Sequence, residues 1–421
     1  MIQIFDLFPG VTLRCYPDDR FKHGCLSLQL VRPMCREEAA RNALLPAVLL
    51  RGCSSCPDLR RITLRLDDLY GASVGTLVRR VGDYQTTGLY CSFLEDRYAM
   101  DGDAVLQPMV AFLKELLLQP VLEGGVFATD FVEGEKKNLI ATIEAQLNDK
   151  RAYAMEQLIR RMCQNDTFGL SRLGEKEDVA AITPQSLYDH YAHILRTSRM
   201  DLFYVGSAPA DQVAQLVKEM LRDIPRDYET LPAQTGFHTC PGGTYEEQMD
   251  ISQGKLCMGF TCPVTTQHPD FVVMQVLNAI YGSGMISKLF MHIREKLSLC
   301  YAIGSGYQGS KGIFTVSAGI DCSRRQQVQQ EILNQLEACC RGDITEEELT
   351  AAKQGLRAGL LSIPDAPASI ENYYASAALS GLQLTPEDYM AAVDQVTVEQ
   401  IAKAAQSVQL HTVYFLKGVK E

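Results

Sequence analysis

The sequence has no apolar run near the ~20 residues that a bilayer-spanning helix needs. Its longest candidate, residues 43–50, contains Pro46. It has no basic tract either: aspartate and glutamate number 51 against 40 lysines and arginines, a net charge of −11. Such an acidic chain does not attract nucleic acid or an anionic membrane, and the surplus chiefly favours solubility. The opening run Met1-Ile2-Gln3-Ile4-Phe5-Asp6 lacks a basic stretch before an apolar one. No secretory leader is read there, and the expected location is the cytoplasm. Catalytic signatures are missing as well. There is no Gly-x-Ser-x-Gly elbow, dinucleotide fingerprint or kinase set, and Ser171 and Asp189-His190 cannot be joined into a triad.

What is present is ordinary globular composition, 46% hydrophobic and 22% charged, which excludes disordered and fibrous architectures. A length of 421 residues allows two or three domains. The 14 cysteines are scattered, and in a reducing compartment they are expected as thiols that act as small buried hydrophobes. Cys53-Ser54-Ser55-Cys56 has redox or half-zinc spacing but no second pair to complete a four-ligand site, and Cys339-Cys340 sits within a helical pattern.

Self-similarity organises the chain. Ile182-Thr183-Pro184 opens a helical pattern (Tyr188, Tyr191, Leu195) that leads to the apolar run Leu202-Phe203-Tyr204-Val205-Gly206. Val396-Thr397-Val398 opens another that leads to Val413-Tyr414-Phe415-Leu416, about half the chain later. Each copy reads as a threonine cap, a helix and a buried strand ending near glycine. Towards the start of each half come strands: 11–16 and 25–31 read as a hairpin, and 255–262 alternates through Leu256, Met258 and Phe260. Helices follow at 36–50 and 269–281, then strand pairs at 73–81 with 84–93 and 301–307 with 312–321. Helical stretches at 128–163, 322–341 and 345–361 dominate the rest. The predicted class is α+β: two tandem homologous domains, each an antiparallel-rich sheet with helices packed on one face. The boundaries read as 1–225, a Pro/Gly-rich linker at 226–243, and 244–421.

The densest local pattern runs from Gly282-Ser283-Gly284-Met285-Ile286-Ser287-Lys288-Leu289-Phe290 to Arg294-Glu295-Lys296 and Tyr301. A phosphate loop requires a preceding strand, whereas a helix precedes here, so the glycines read as a turn between helices. Ile286, Leu289, Phe290 and Ile293 form the expected apolar face of the helix that ends at Arg294, itself a solvated arginine by position. This run resembles the second-domain motif of the pitrilysin/insulinase-type zinc metallopeptidases, which include the mitochondrial processing peptidases. Phe168-Gly169-Leu170-Ser171-Arg172-Leu173-Gly174, the Ile182-Thr183 helix and Val205-Gly206 resemble further stretches of that family. Leu69-Tyr70-Gly71-Ala72-Ser73 with Gly82-Asp83 is similar to a bacterial cytosolic branch. The resemblance implies a LuxS/metallopeptidase-like fold and a substrate-binding role for Arg294 and Tyr301, which in the family hold the peptide backbone.

The family's zinc helix carries His-x-x-Glu-His, followed by apolar residues, a basic residue and glycine. Val48-Leu49-Leu50-Arg51-Gly52 is similar to that tail, which places Ala43 and Ala47 at the histidine positions and Pro46 at the glutamate. None offers a metal donor or a base, so no catalytic residue and no metal ligand are expected. Glu135 and Glu144 lie in about the right region for the acidic ligand, although a lone helical glutamate is usually just solvated. His190 and His193, one turn apart, could clamp a metal, but a third ligand and a base would be missing.

The resemblance therefore implies a non-catalytic subunit that binds peptide and completes the chamber of an active zinc-bearing paralogue. Such a chain has no cofactor of its own, zinc being expected only in the partner. The partner is an active paralogue in a heterodimer or a second copy in a homodimer. The Leu-Tyr-Gly-Ala run implies the inactive member of the bacterial pair associated with elongation factor P modification. The alternatives are a structural scaffold without substrate binding, and a metallopeptidase with substitute ligands.

Overall fold

Leu26, Leu28 and Leu30 alternate with Cys25, Ser27 and Gln29, and this period of two places the leucines together on one face of a strand. The structure, a computed structural model, describes residues 2–231, 236–238 and 240–418. Within the segment 226–243 read as a linker, Pro232 and residues 233–235 and 239 lie outside the described residues.

In chain order the first half carries β1 (Gln3–Phe8), β2 (Val11–Pro17), β3 (His23–Pro33), α1 (Arg36–Leu49), α2 (Leu59–Asp68), β4 (Ser73–Val81), β5 (Tyr84–Leu94) and α3 (Leu106–Leu118). It continues with the short β6 (Leu122–Glu123) and β7 (Val126–Phe127), then α4 (Thr129–Ala145), α5 (Lys150–Met162), α6 (Lys176–Ala180), α7 (Pro184–Thr197), β8 (Arg199–Gly206) and α8 (Ala210–Leu221). The second half carries β9 (Gly243–Met249), β10 (Gly254–Thr261), α9 (Phe271–Asn278), β11 (Cys300–Gln308), β12 (Ile313–Ile320) and α10 (Arg325–Arg341). After these come α11 (Glu346–Leu361), α12 (Pro367–Ser380), α13 (Pro386–Gln395), α14 (Val398–Ala405) and β13 (Gln409–Gly418).

The first large sheet has the order β1-β2-β8-β3-β5-β4, the second β11-β12-β10-β13-β9. The duplication is visible in the pairing: β8 runs parallel to β2 and antiparallel to β3, while β13 runs parallel to β9 and antiparallel to β10. This corrects the hairpin expected for 11–16 and 25–31. The apolar β8 lies between β2 and β3, because its own Met200, Leu202 and Tyr204 complete the same buried face. The threonine caps hold: Thr183 and Thr397 each close a capping box at the start of α7 and α14. The helical stretch at 128–163 breaks at Asp149, whose side chain accepts from Arg151 N and Ala152 N and starts α5 afresh.

Contacts divide the chain into two units: Met1–Glu144, Leu170–Ala233 and Pro364–Ser376 form one, and Ala145–Gly169, Gln234–Ile363 and Ala377–Glu421 the other. Each unit thus takes in a segment from the opposite half of the sequence. In the first, α1, α3, α7 and α8 cover one sheet face through residues such as Leu44, Phe112, Ile194 and Val217. The other face receives the N-terminal part of α12. Ile370 packs on Cys25 and Val205, and the buried Glu371 carboxylate accepts from Ser27 (2.7 Å), Gln29 (2.9 Å) and Arg79 (2.9 and 3.0 Å). In the second unit α5 plays the same part: Ala154 and Leu158 pack on Cys257, Tyr414 and Leu416. A fully buried Lys311–Asp166 ion pair at 2.9 Å joins the segment after α5 to the β11–β12 turn. Burial pushes the Asp166 carboxyl up, but the Phe168 and His238 N–H groups and Lys311 outweigh it and hold it below the usual range. The two sheets are antiparallel-rich with helices on one face, as expected, and each also carries one helix on its second face.

Among the described residues no helix is long and apolar enough to cross a membrane, and no disulfide joins any of the cysteines.

Candidate functional site

Helix α1 carries Ala43, Pro46 and Ala47, the positions that the resemblance sets against the zinc helix. Ala43 and Pro46 are buried and Ala47 is half-buried. A proline inside a helix has no N–H to give to the carbonyl four residues earlier, which orphans the Asn42 carbonyl. The structure supplies a donor from outside: Thr87 Oγ1 of β5 donates to Asn42 O at 2.6 Å. The Asn42 side chain is also engaged, its Nδ2 donating to Gln85 Oε1 (2.9 Å) and its Oδ1 facing His190 Nε2 (2.7 Å). Gln85 Nε2 in turn donates to the carbonyls of Ala39 (3.1 Å) and Arg172 (2.6 Å). A neutral, hydrogen-bonded knot therefore fastens α1 to β5 and α7. Burial, with the nearby Arg41 charge, pulls His190 down to about 4, so the imidazole is neutral near pH 7.

The donor set does not fit zinc. Two alanines and a proline present no ligand atom, and His190 is turned to Asn42 rather than paired with His193 about a shared point. Glu135 is held by Arg51 (3.2 Å) and by Asn138 (3.0 Å), and Glu144 pairs with Lys176. Among the described residues no group of three or more His, Cys, Asp or Glu side chains is placed to hold a metal. Asn42, Gln85 and Thr87 carry the local structure and were not singled out from the sequence. The available signal was Pro46 itself, which requires a donor for the carbonyl of residue 42.

In the second unit the glycine-rich run adopts π-helical geometry. Residues Ala279–Ser283 and Leu289–Lys296 flank the turn, with Gly284 N donating to Ala279 O (3.2 Å) and Leu297 N to His292 O (3.0 Å). Such wide turns are frequent at functional sites. Leu289 and Ile293 are buried as expected, whereas Ile286 is exposed because the helix begins after it. Arg294 lies in the last turn, half in solvent, its guanidinium 4.6 Å from the Phe290 ring centroid and its Nε 3.6 Å from Glu295. Burial pushes the Cys300 thiol up to about 11, and the Arg294 charge pulls against this.

The chain then passes through Ser298, at φ +50°, into β11. There the pairing with β12 slips between Cys300 and Ala302, so Tyr301 is the extra residue of a β-bulge and stands 68% exposed. Bulges re-aim side chains, and this one leaves the phenol in solvent. Arg294 and Tyr301 are thus both presented outward within one unit.

Two α+β sheet units related by duplication, with no metal donor at Ala43, Pro46 and Ala47 in the first and an exposed arginine and tyrosine in the second, define a peptidase-like fold. Comparison gives the same class. Residues 181–356 match the family described as peptidase M16 inactive domain. A Bacillus subtilis (strain 168) protein described as probable inactive metalloprotease YmfF is 30% identical over 411 residues, 98% of this chain and 96% of its own length. The crystal structure of a conserved protein from Enterococcus faecalis V583 aligns over 100% of this chain and 99% of its own, with a TM-score of 0.93 and 26% identity. That of a peptidase M16 inactive domain from Pseudomonas fluorescens aligns over 100% and 98%, with a TM-score of 0.82 and 17% identity. The chain belongs to the M16 peptidase family, as an inactive homologue.

Proposed function

We propose that the chain is a peptide-binding subunit that completes the chamber of an active, zinc-bearing paralogue. The observation that carries this reading is the contrast between its two motifs. Helix α1 presents no metal donor or base at Ala43, Pro46 and Ala47, and a neutral network of Asn42, Gln85, Thr87 and His190 fastens it. The second-unit motif keeps Arg294 and Tyr301, both exposed and both carried on irregular backbone, a π-helical turn and a bulge. A guanidinium offers five donors and a phenol one donor and acceptor, which suits the carbonyls and amides of an extended peptide. A scaffold with no substrate has no use for such a pair.

The test is co-expression of the chain with an M16 paralogue that has an intact His-x-x-Glu-His helix. The expected result is a stable complex with peptidase activity, in which this chain alone is inactive and free of stoichiometric zinc. Failure to associate, or zinc-dependent hydrolysis by the chain alone, overturns the reading.

A further inference from the structure

The loop between α1 and α2 holds a pair of cysteines in an arrangement that neither metal binding nor the peptide-binding role uses. Cys53 N donates to Cys56 O (2.8 Å) and Cys56 N donates to Cys53 O (3.1 Å). Two residues that exchange both backbone hydrogen bonds have Cα atoms about 5.5 Å apart and side chains on the same face. Disulfides need a Cα separation of about 4.4–6.8 Å. The thiols already share a neighbour: Ser55 Oγ lies 3.6 Å from each sulfur. The Glu115 carboxylate accepts from Ser55 and lies 3.9 Å from Cys53 Sγ.

The loop is also tied down by hydrogen bonds. Ser54 N donates to Gln119 O (2.9 Å), Ser54 Oγ to Gln119 Oε1 (2.6 Å), and Val121 N to Gly52 O (3.3 Å), so the segment after α3 clamps it. Gly52 is required there, since a Cβ would meet Pro57 O at 2.7 Å.

We infer that Cys53 and Cys56 form a dithiol that closes reversibly to a disulfide by exchange with a low-molecular-weight disulfide. Cys56 is the entry point, because it is 6% exposed between solvent-exposed neighbours while Cys53 is fully buried. The Cys56 thiolate attacks one sulfur of the reagent, forming a mixed disulfide and expelling one thiolate. Cys53 then gives its proton to the adjacent Glu115 carboxylate and attacks Cys56 Sγ, which releases the second thiolate. One disulfide reagent is reduced to two thiols and the protein dithiol is oxidised by the same two electrons. Burial raises the Cys53 thiol, against the Ser55 hydrogen bond, which suits a resolving rather than an attacking cysteine.

The experiment equilibrates the full chain with graded ratios of oxidised to reduced glutathione, quenches with a thiol alkylator and examines the tryptic peptide from Gly52 to Arg60. The expected peptide loses two hydrogens and both alkylation sites together as the ratio rises, and regains them on reduction. Cys53→Ala is expected to accumulate a glutathione adduct on Cys56 instead. The inference fails if the wild-type peptide stays doubly alkylated throughout, or if it gathers glutathione without closing. The wild-type readout needs no variant, so a poorly folding Cys53→Ala leaves the inference testable.

Discussion

At the residue scale the structure turns on how a proline came to sit in α1. Pro46 removes one helical hydrogen bond, and Thr87 replaces the lost donor at the Asn42 carbonyl. Thr87→Val leaves that buried carbonyl orphaned and is expected to cost about 1–3 kcal/mol in urea unfolding. In a Pro46→Ala background the amide of residue 46 can reach Asn42 O, so the cost of Thr87→Val should shrink. Equal costs in both backgrounds would reject the compensation. His190 makes a second prediction. Burial takes its pKa from 6.5 down to about 4 on folding, with Arg41, Arg32 and His193 also opposing the charged form and Glu38 favouring it. The unfolded chain therefore takes up a proton below pH 6.5 that the folded chain refuses until about 4. The stability His190 contributes is present above pH 6.5 and declines as pH falls through that window, by about 3 kcal/mol in all. His190→Gln should flatten this part of the stability–pH curve, as measured by urea titrations at pH 7 and 4.5. Nothing in the sequence pointed to Asn42 except its place four residues before the proline. Residues 43, 46 and 47, by contrast, show their lack of metal donors in the sequence alone, because a donor's absence is a matter of atom types.

At the element scale, most strands and helices follow from periodicity and caps, and the exceptions have a common physical cause. Ser27 and Gln29 look like the solvent face of β3, yet they are 0% and 2% exposed, because Glu371 of α12 covers them. A polar residue satisfied by a buried carboxylate and one satisfied by water give the same alternation, so the helix from the distant half was not readable. The same holds for β8 between β2 and β3, since pairing partners are decided by which apolar faces complete one core. Glu371→Ala removes the acceptor shared by Ser27, Gln29 and Arg79, and leaves Arg79, 25% exposed, without its carboxylate. The expected loss is about 3 kcal/mol, seen in thermal or urea unfolding. A change below about 0.5 kcal/mol, the range of a surface substitution, would show that α12 is not anchored by this carboxylate.

At the scale of the whole molecule, duplication supplied two copies of one sheet-and-helix unit, and the copies have diverged in what they keep. In the first copy α1 is a packing element held by Asn42, Gln85 and His190. The second has kept a pair of exposed hydrogen-bonding groups at a turn and a bulge, where backbone regularity is given up. This division suits a subunit that holds substrate for chemistry performed on another chain. The most direct measurement is peptide hydrolysis by a complex of the active paralogue with either the wild-type chain or Arg294→Ala/Tyr301→Phe. If the account is right, the variant still assembles, and kcat/KM falls about 10- to 100-fold, as expected for one or two lost charge-assisted hydrogen bonds. An assembled variant complex with unchanged kcat/KM would contradict it.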